Sequence, residues 1–133
     1  AIRLVIAQRL VRRLWDDSKQ EYDPDDATKK YVQSVLADLP STYPDKPDLE
    51  NFKLYKPVST EDAPFGYKGR IVIMEQMVVD EEIQKFIRGD VSDINTETIE
   101  KAAKAGGMVT LEQAGVLAAL RGETTLDEIA RAI

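Results

Sequence analysis

Arg70-Ile-Val-Ile-Met-Glu-Gln-Met-Val-Val79 is the stretch of sequence that decides the fold. It is rich in β-branched and apolar residues and is bounded by Gly69 and Asp80, a composition that predicts a β-strand. Apolar residues occupy both alternating faces, which is typical of a central strand with packing on each side. We therefore expect a sheet that is covered on both faces.

The segment 4–14 is the candidate partner strand. Its periodicity does not separate a buried strand from a helix, but Val5, Ile6 and Val11 favour a strand for part of it. The first 14 residues also carry bases and no acid: Arg3, Arg9, Arg12 and Arg13. We expect these arginines to pair with carboxylates nearby in the fold, and a binding surface is the alternative.

Residues 23–39 predict a helix that caps on Asp23, has Pro24 at its first position and stops before Pro40. Its apolar positions recur every four residues, with Leu36 beside them: Ala27, Tyr31, Val35 and Leu39. Prolines at 40, 44 and 47 then predict an extended loop over 40–51.

From Asp80 onward the sequence predicts four short helices. The first is capped by Asp80 and ended by Gly89, and the second is capped by Asn95 or Thr96 and ended by Gly106-Gly107. The last two follow the capping boxes Thr110-x-x-Gln113 and Thr125-x-x-Glu128. The fold class is therefore α+β, with strands and an insertion in 1–79 and a four-helix subdomain in 80–133.

Composition excludes several kinds of site. With 133 residues, no His and no Cys, the chain offers no nitrogen or sulfur ligands of the usual kind for zinc and no Ser–His or Cys–His pair. The loop G-x-x-x-x-G-K-[ST] is absent. A net charge of −6 argues against nucleic acid as a partner, and no apolar run is long enough to span a membrane. With no signal peptide we expect the cytoplasm, and a start at Ala1 inside a patterned segment suggests a piece of a longer protein.

Two acidic features are candidates for chemistry. Glu75 is the acidic residue inside the strand 70–79, and a buried carboxylate needs a partner, for which the arginines of 9–13 are candidates. A structural ion pair is the favoured interpretation, and a catalytic carboxylate is the alternative. A second group lacks the order of a calcium loop and favours a solvated, helix-capping surface: Asp16, Asp17, Glu21, Asp23, Asp25 and Asp26.

Five segments, in this order, resemble the C-terminal part of the ATPases of type II secretion and type IV pilus assembly. They are 6–14 (IAQRLVRRL), 66–75 (GYKGRIVIME), 80–83 (DEEI), 107–111 (GMVTL) and 122–129 (GETTLDEI). The resemblance covers nearly the whole chain and is weakest over 24–52. It does not separate secretion, pilus and competence systems.

That resemblance implies a RecA-like core that forms hexamers on the cytoplasmic side of the inner membrane. Segments 6–14 and 69–79 would lie at the back of the core sheet, with an insertion at about 15–65 between them. The Walker A loop, Walker B acid and catalytic Glu would precede Ala1, so ATP and Mg belong to the parent protein and we expect no hydrolysis by this chain alone. The implied partners are the rest of the core, neighbouring subunits and an inner-membrane platform protein, without direct membrane insertion.

The same resemblance implies a zinc site in the insertion, built from two Cys-x-x-Cys pairs. Here the first pair would fall at Trp15 and Ser18, and the second near Thr60 and Ala63. Since all four ligands are replaced, zinc is not expected and no cofactor is expected in this chain. We expect packing to hold the insertion instead, through its apolar residues Trp15, Tyr22, Tyr31 and Val35.

Charge and placement suggest a set of polar contacts with the rest of the core or a neighbouring subunit: Arg9, Arg12, Arg13, Lys68, Arg70 and Glu75. The function expected from the resemblance is the C-terminal, non-catalytic part of a hexameric ATPase that supports core and partner contacts. Two alternatives stay open at this point. One is a stand-alone interaction or regulatory module derived from such an ATPase, and the other is an unrelated enzyme that uses carboxylates.

Overall fold

A computed structural model describes residues 2–40, 43, 46–79 and 108–133 of the chain. These residues form a small α+β structure. Its elements, in chain order, are β1 (Ile2–Leu14), β2 (Gln20–Tyr22), α1 (Asp26–Leu36), β3 (Leu54–Lys56), β4 (Tyr67–Val79), α2 (Leu111–Leu120) and α3 (Leu126–Ala132). None of the helices in these ranges is long and apolar enough to cross a membrane.

The two long strands pair antiparallel, and their register places Leu10 opposite Val72 and Val11 opposite Ile71. The strand predicted over 70–79 is confirmed, and the ambiguous segment 4–14 is a strand throughout. The register shifts between Val5 and Ala7 and again between Arg12 and Leu14, and such bulges bend a strand and increase its twist.

One face of this sheet carries the first hydrophobic core. Val11 and Ile73 pack there with Leu111, Ala118 and Ile129 from the two C-terminal helices. The expectation of a covering layer on both faces is not met by the residues that the structure describes. On the opposite face Leu10 is 60% exposed and Val72 is 48% exposed.

The insertion between β1 and β4 contains α1 and a small antiparallel sheet of β2 and β3. Its helix begins later than predicted, because Asp25 rather than Asp23 is the N-cap and accepts from the Thr28 N–H at 2.7 Å. The helix also ends at Leu36 rather than Leu39. Asp25 belongs to the predicted helix-capping acidic surface, and here it serves that role.

A second core joins α1 to α2. It contains Val32, Leu36 and Leu39 from the insertion, with Val116 and Leu117 from α2. The sequence pattern placed Ala27 and Tyr31 on the buried face, but both are exposed and Val32 is fully buried instead.

The prediction that four apolar residues hold the insertion is therefore only partly right. Val35 packs against the second core, whereas Tyr22 and Tyr31 are exposed. The Tyr31 hydroxyl instead donates to Glu112 Oε1 at 2.7 Å, so this residue ties α1 to α2 through a polar contact.

Two of the four predicted C-terminal helices lie within the described residues. α2 has the complete capping box: Thr110 Oγ1 accepts from the Gln113 N–H, and Gln113 Oε1 accepts from the Thr110 N–H. In α3, Thr125 Oγ1 accepts from the Glu128 N–H, but the Glu128 carboxylate turns to another partner. The helices predicted over 80–89 and 96–106 lie outside the described residues.

Candidate contact site

Arg12 and Glu128 form the main polar contact between the sheet and the C-terminal helices. Arg12 Nε donates to Glu128 Oε1 at 3.0 Å and Arg12 Nη2 donates to Oε2 at 2.9 Å. The Arg12 backbone N–H also donates to Oε1 at 2.9 Å. Glu128 is only 7% exposed, so its charge is compensated by a two-pronged guanidinium contact and one backbone donor.

The surroundings of this pair strengthen it. The Arg12 guanidinium lies 4.3 Å from the centre of the Tyr67 ring, a cation–π distance. Hydrogen bonds from Arg12 lower the pKa of Glu128 below its usual value, and the bond to Glu128 raises the pKa of Arg12. Thr124 Oγ1, fully buried, donates to the Arg12 carbonyl at 2.9 Å.

Glu75 does not pair with the arginines of β1, so the predicted ion pair is wrong. Its Oε2 accepts from the Leu111 backbone N–H at 2.9 Å. Leu111 is the first residue of α2, and a carboxylate is favoured there because the helix dipole is positive at that end. Glu75 thus fixes where α2 begins on the sheet.

The remaining predicted contact residues are dispersed. Arg9 Nε donates to the Ala132 carbonyl at 3.2 Å, and Arg13 lies 3.7 Å from an Asp16 carboxylate oxygen. The Lys68 ammonium lies 4.5 Å from the centre of the Trp15 ring. Arg70 is exposed and lies opposite Arg12 in the strand register.

The six predicted residues therefore divide by their contacts. Arg12 and Glu75 hold the sheet and the helices together inside the chain. Arg13 and Lys68 each interact with a residue of the insertion, and Arg9 contacts the end of α3. Arg70 is exposed, and its contact with the rest of a larger protein stays a prediction.

Glu128 is the residue that sequence reasoning missed. It was assigned only to a capping box, whose glutamate is expected to reach back to the N-cap backbone. Its actual partner, Arg12, is 116 positions away, and nothing local to either residue indicates the pairing. In the described ranges no cluster of three or more acidic side chains is arranged to hold a metal ion.

The exposed side of the sheet is the other candidate surface. We call it the open face, and it consists of Val5, Leu10, Val72 and Met74, which the strand register places on one side. All four are exposed, Met74 at 37% being the least. Within the described residues β1 also has one strand neighbour, β4. An apolar face beside a strand edge is typical of a surface that another part of a protein covers.

Three curated relatives match almost the whole chain. A type II secretion system protein E of Xanthomonas campestris is 33% identical over 129 residues, covering 96% of this chain and 20% of that protein. The type IV pilus assembly ATPase PilB of Thermus thermophilus is 36% identical over 126 residues, covering 94% of this chain and 13% of that protein. PilB of Acinetobacter baylyi is 34% identical over 131 residues, covering 98% of this chain and 21% of that protein.

The chain thus spans about a fifth or less of the length of these relatives. The model of the family described as type II/IV secretion system protein matches residues 1–131 of the 133. The resemblance found in the sequence is confirmed by this match. The chain belongs to the type II/IV secretion system protein family.

Proposed function

We propose that this chain is the C-terminal, non-catalytic part of a hexameric ATPase that powers type II secretion or type IV pilus assembly. Two of its relatives are named type IV pilus assembly ATPase, which supports this activity. ATP and Mg would be bound by the remainder of the protein, which makes up about four-fifths or more of each relative's length. Its partners would be that remainder, neighbouring subunits and a platform protein at the cytoplasmic side of the inner membrane.

The open face is the observation that carries this proposal. Burying apolar surface stabilises a protein by about 25 cal/mol per Å², and leaving four large apolar side chains on one sheet face forgoes that gain. Among the described residues β1 has one strand neighbour, so its other edge is available to a further strand over the part that precedes Arg12. Both features are expected if the β1–β4 pair is the end of a larger RecA-like sheet.

The Arg12–Glu128 pair suggests how such a part would serve the motor. It joins β1 to α3 through three hydrogen bonds, and Glu75 joins β4 to the start of α2. Because both helices are attached to the sheet at their N-terminal turns, a movement of the sheet would carry the helices with it. The C-terminal helices would then move with the ATPase core as one body.

A graft tests the proposal. The matching segment of the Acinetobacter PilB is replaced by this chain, and the ATP hydrolysis rate and the mass of the assembly are measured. We expect the graft to form hexamers and hydrolyse ATP, and the isolated chain to hydrolyse none. The matched control carries Leu10→Gln and Val72→Gln, which should abolish assembly of the graft. Hydrolysis by the isolated chain, or full activity of the double variant, would contradict the proposal.

A further inference from the structure

The insertion raises the question of what replaces the zinc that the family resemblance implies. The side chains at the four corresponding positions are those of Trp15, Ser18, Thr60 and Ala63. Structural zinc is held by thiolate sulfur, imidazole nitrogen and carboxylate oxygen, and these four residues supply an indole, two neutral hydroxyls and a methyl group. The donor set therefore does not fit zinc.

The structure gives the two hydroxyls different surroundings. Thr60 Oγ1 is already engaged, because it accepts from the Ala63 N–H at 3.1 Å. Ser18 Oγ is buried and makes no hydrogen bond within the part of the chain that the structure describes. A buried hydroxyl without a partner costs stability rather than adding to it.

These positions lie in two turns, a first turn at 15–19 and a second turn at 60–63, and backbone hydrogen bonds close both turns. The N–H groups of Ser18 and Lys19 both donate to the Trp15 carbonyl, at 3.2 and 3.0 Å. On the other side, the Thr60 N–H donates to the Ala63 carbonyl at 3.0 Å.

Gly66 connects the two turns. Its carbonyl accepts from the Trp15 N–H at 3.0 Å, and its own N–H donates to the Ala63 carbonyl at 2.8 Å. The backbones of the two turns are thus joined through one residue without a metal.

Lys19 makes the longer-range contacts of the first turn. Its ammonium donates to Asp16 Oδ1 at 2.8 Å and to the Gly122 carbonyl at 3.0 Å. It also lies 5.1 Å from the centre of the Tyr55 ring, on β3. One cation thus connects the turn, the second strand pair and the loop that follows α2.

Lys68 makes an equivalent contact from β4. Its ammonium lies 4.5 Å from the centre of the ring of Trp15, the residue that replaces the first expected ligand. Such cation–π contacts are worth about 0.5–1 kcal/mol at exposed sites. This one attaches the first turn to the strand that follows the second turn.

We propose that Lys19 and Lys68 hold this insertion together in place of a metal ion. The ammonium of Lys19 links the first turn to β3 through the Tyr55 ring and to the loop after α2 through the Gly122 carbonyl, and Lys68 links the same turn to β4 through the Trp15 ring. The site is consequently metal-independent, and its stability rests on the two lysines and on the backbone hydrogen bonds through Gly66.

Thermal unfolding of the 133-residue chain tests this proposal. Lys19→Met keeps the length of the side chain and removes its charge, and we expect the Tm to fall by about 3–6 °C. Lys30→Met, on the exposed side of α1, is the matched control and should leave the Tm unchanged. Addition of EDTA, or of one equivalent of zinc, should leave the Tm of the unaltered chain unchanged.

Ser18→Ala provides a second readout that does not depend on a large loss of stability. Since it removes a buried hydroxyl without a hydrogen bond, the proposal expects an equal or higher Tm. A lower Tm, together with a rise in the Tm of the unaltered chain on addition of zinc, would mean that this oxygen binds a metal and would overturn the proposal. A fall in Tm with EDTA, or equal Tm values for Lys19→Met and Lys30→Met, would overturn it as well.

Discussion

Arg12 on β1 binds the carboxylate of Glu128 on α3 through its guanidinium Nε and Nη2 and through its own backbone N–H, at distances of 2.9–3.0 Å. The backbone donor matters because the Arg12 N–H lies on the edge of β1 that β4 does not occupy. Glu128 accepts from this N–H, and Thr124 Oγ1 donates to the Arg12 carbonyl at the same edge. The pair therefore satisfies a backbone donor of β1 and attaches α3 to the sheet.

Removing the arginine should leave a poorly compensated carboxylate. We expect Arg12→Met to lower the free energy of unfolding by about 2 kcal/mol. This is less than for a fully buried pair, because the Arg12 side chain is 41% exposed. Urea unfolding of the 133-residue chain measures the change. The control is Arg131→Met, whose side chain lies at the surface 3.7 Å from Glu128 and should cost less than about 0.5 kcal/mol. Equal losses of unfolding free energy for the two variants would show that Arg12 contributes no more to stability than the surface residue Arg131.

The same carboxylate should make stability depend on pH. The pKa of Glu128 is lowered in the folded state, chiefly by its hydrogen bond from Arg12. Its contribution is therefore complete above the pKa of an unfolded Glu, about 4.3, and is lost as the pH falls through the lower folded value.

Comparison with Glu128→Gln isolates this effect. The urea midpoints of the two proteins should differ at pH 7 and converge as the pH falls below about 4. Asp16, Asp25 and Asp48 also have lowered pKa values, but they titrate in both proteins and cancel in the difference. A constant difference from pH 7 to pH 3 would contradict the assignment.

Gly66, just before β4, and Gly69, near the start of β4, offer a matched pair of variants. Gly66 and Gly69 both have a positive φ, +79° and +82°, so alanine at either position costs about 1–2 kcal/mol in backbone strain. A Cβ at Gly66 would also lie 2.5 Å from Pro57 Cβ and 2.7 Å from the Val58 backbone nitrogen. A Cβ at Gly69 would meet nothing within 4 Å.

We therefore expect Gly66→Ala to destabilise the chain clearly more than Gly69→Ala. The extra loss arises because the atoms that the new methyl group would meet include backbone and must move with it. Tm values of the two single variants give the comparison. Equal losses would mean that loop 57–58 moves freely away from Gly66.

The Arg70→Ala substitution tests the predicted polar contacts with the rest of the core or a neighbouring subunit. Its side chain is exposed on β4, so Arg70→Ala should leave the stability of the isolated chain within about 0.5 kcal/mol of the original. In the PilB graft described under Proposed function, the same change should lower the ATP hydrolysis rate. An unchanged rate would remove Arg70 from the contact surface.

Much of the backbone could be predicted because it depends on local patterns. The β-branched run of 70–79 and the capping residues Thr110 and Thr125 are readable within a few positions of the sequence. The N-terminus of α1 was misplaced by two residues because Asp23 and Asp25 are both good caps. Only the tertiary position of the helix decides between them.

The pairings across the fold could not be predicted in this way. Glu75 and the arginines of β1 lie on adjacent strands, yet Glu75 accepts from the start of α2 while Arg12 turns to α3. On α1, Val32 is buried in place of the expected Ala27 and Tyr31, whereas Leu36 is buried as expected. In each case the deciding partner lies 36 or more positions away, as with Glu75 and Leu111.

The coverage of the open face is the point on which the proposed function depends, and thiol labelling measures it directly. The chain has no cysteine, so Val72→Cys introduces a single reactive site on the open face, and Lys30→Cys on α1 is the reference. We predict that the thiol introduced by Val72→Cys reacts readily in the isolated chain. In the grafted ATPase hexamer this thiol should react far more slowly, relative to the thiol introduced by Lys30→Cys. An equal ratio of the two rates in the isolated chain and the hexamer would contradict the account.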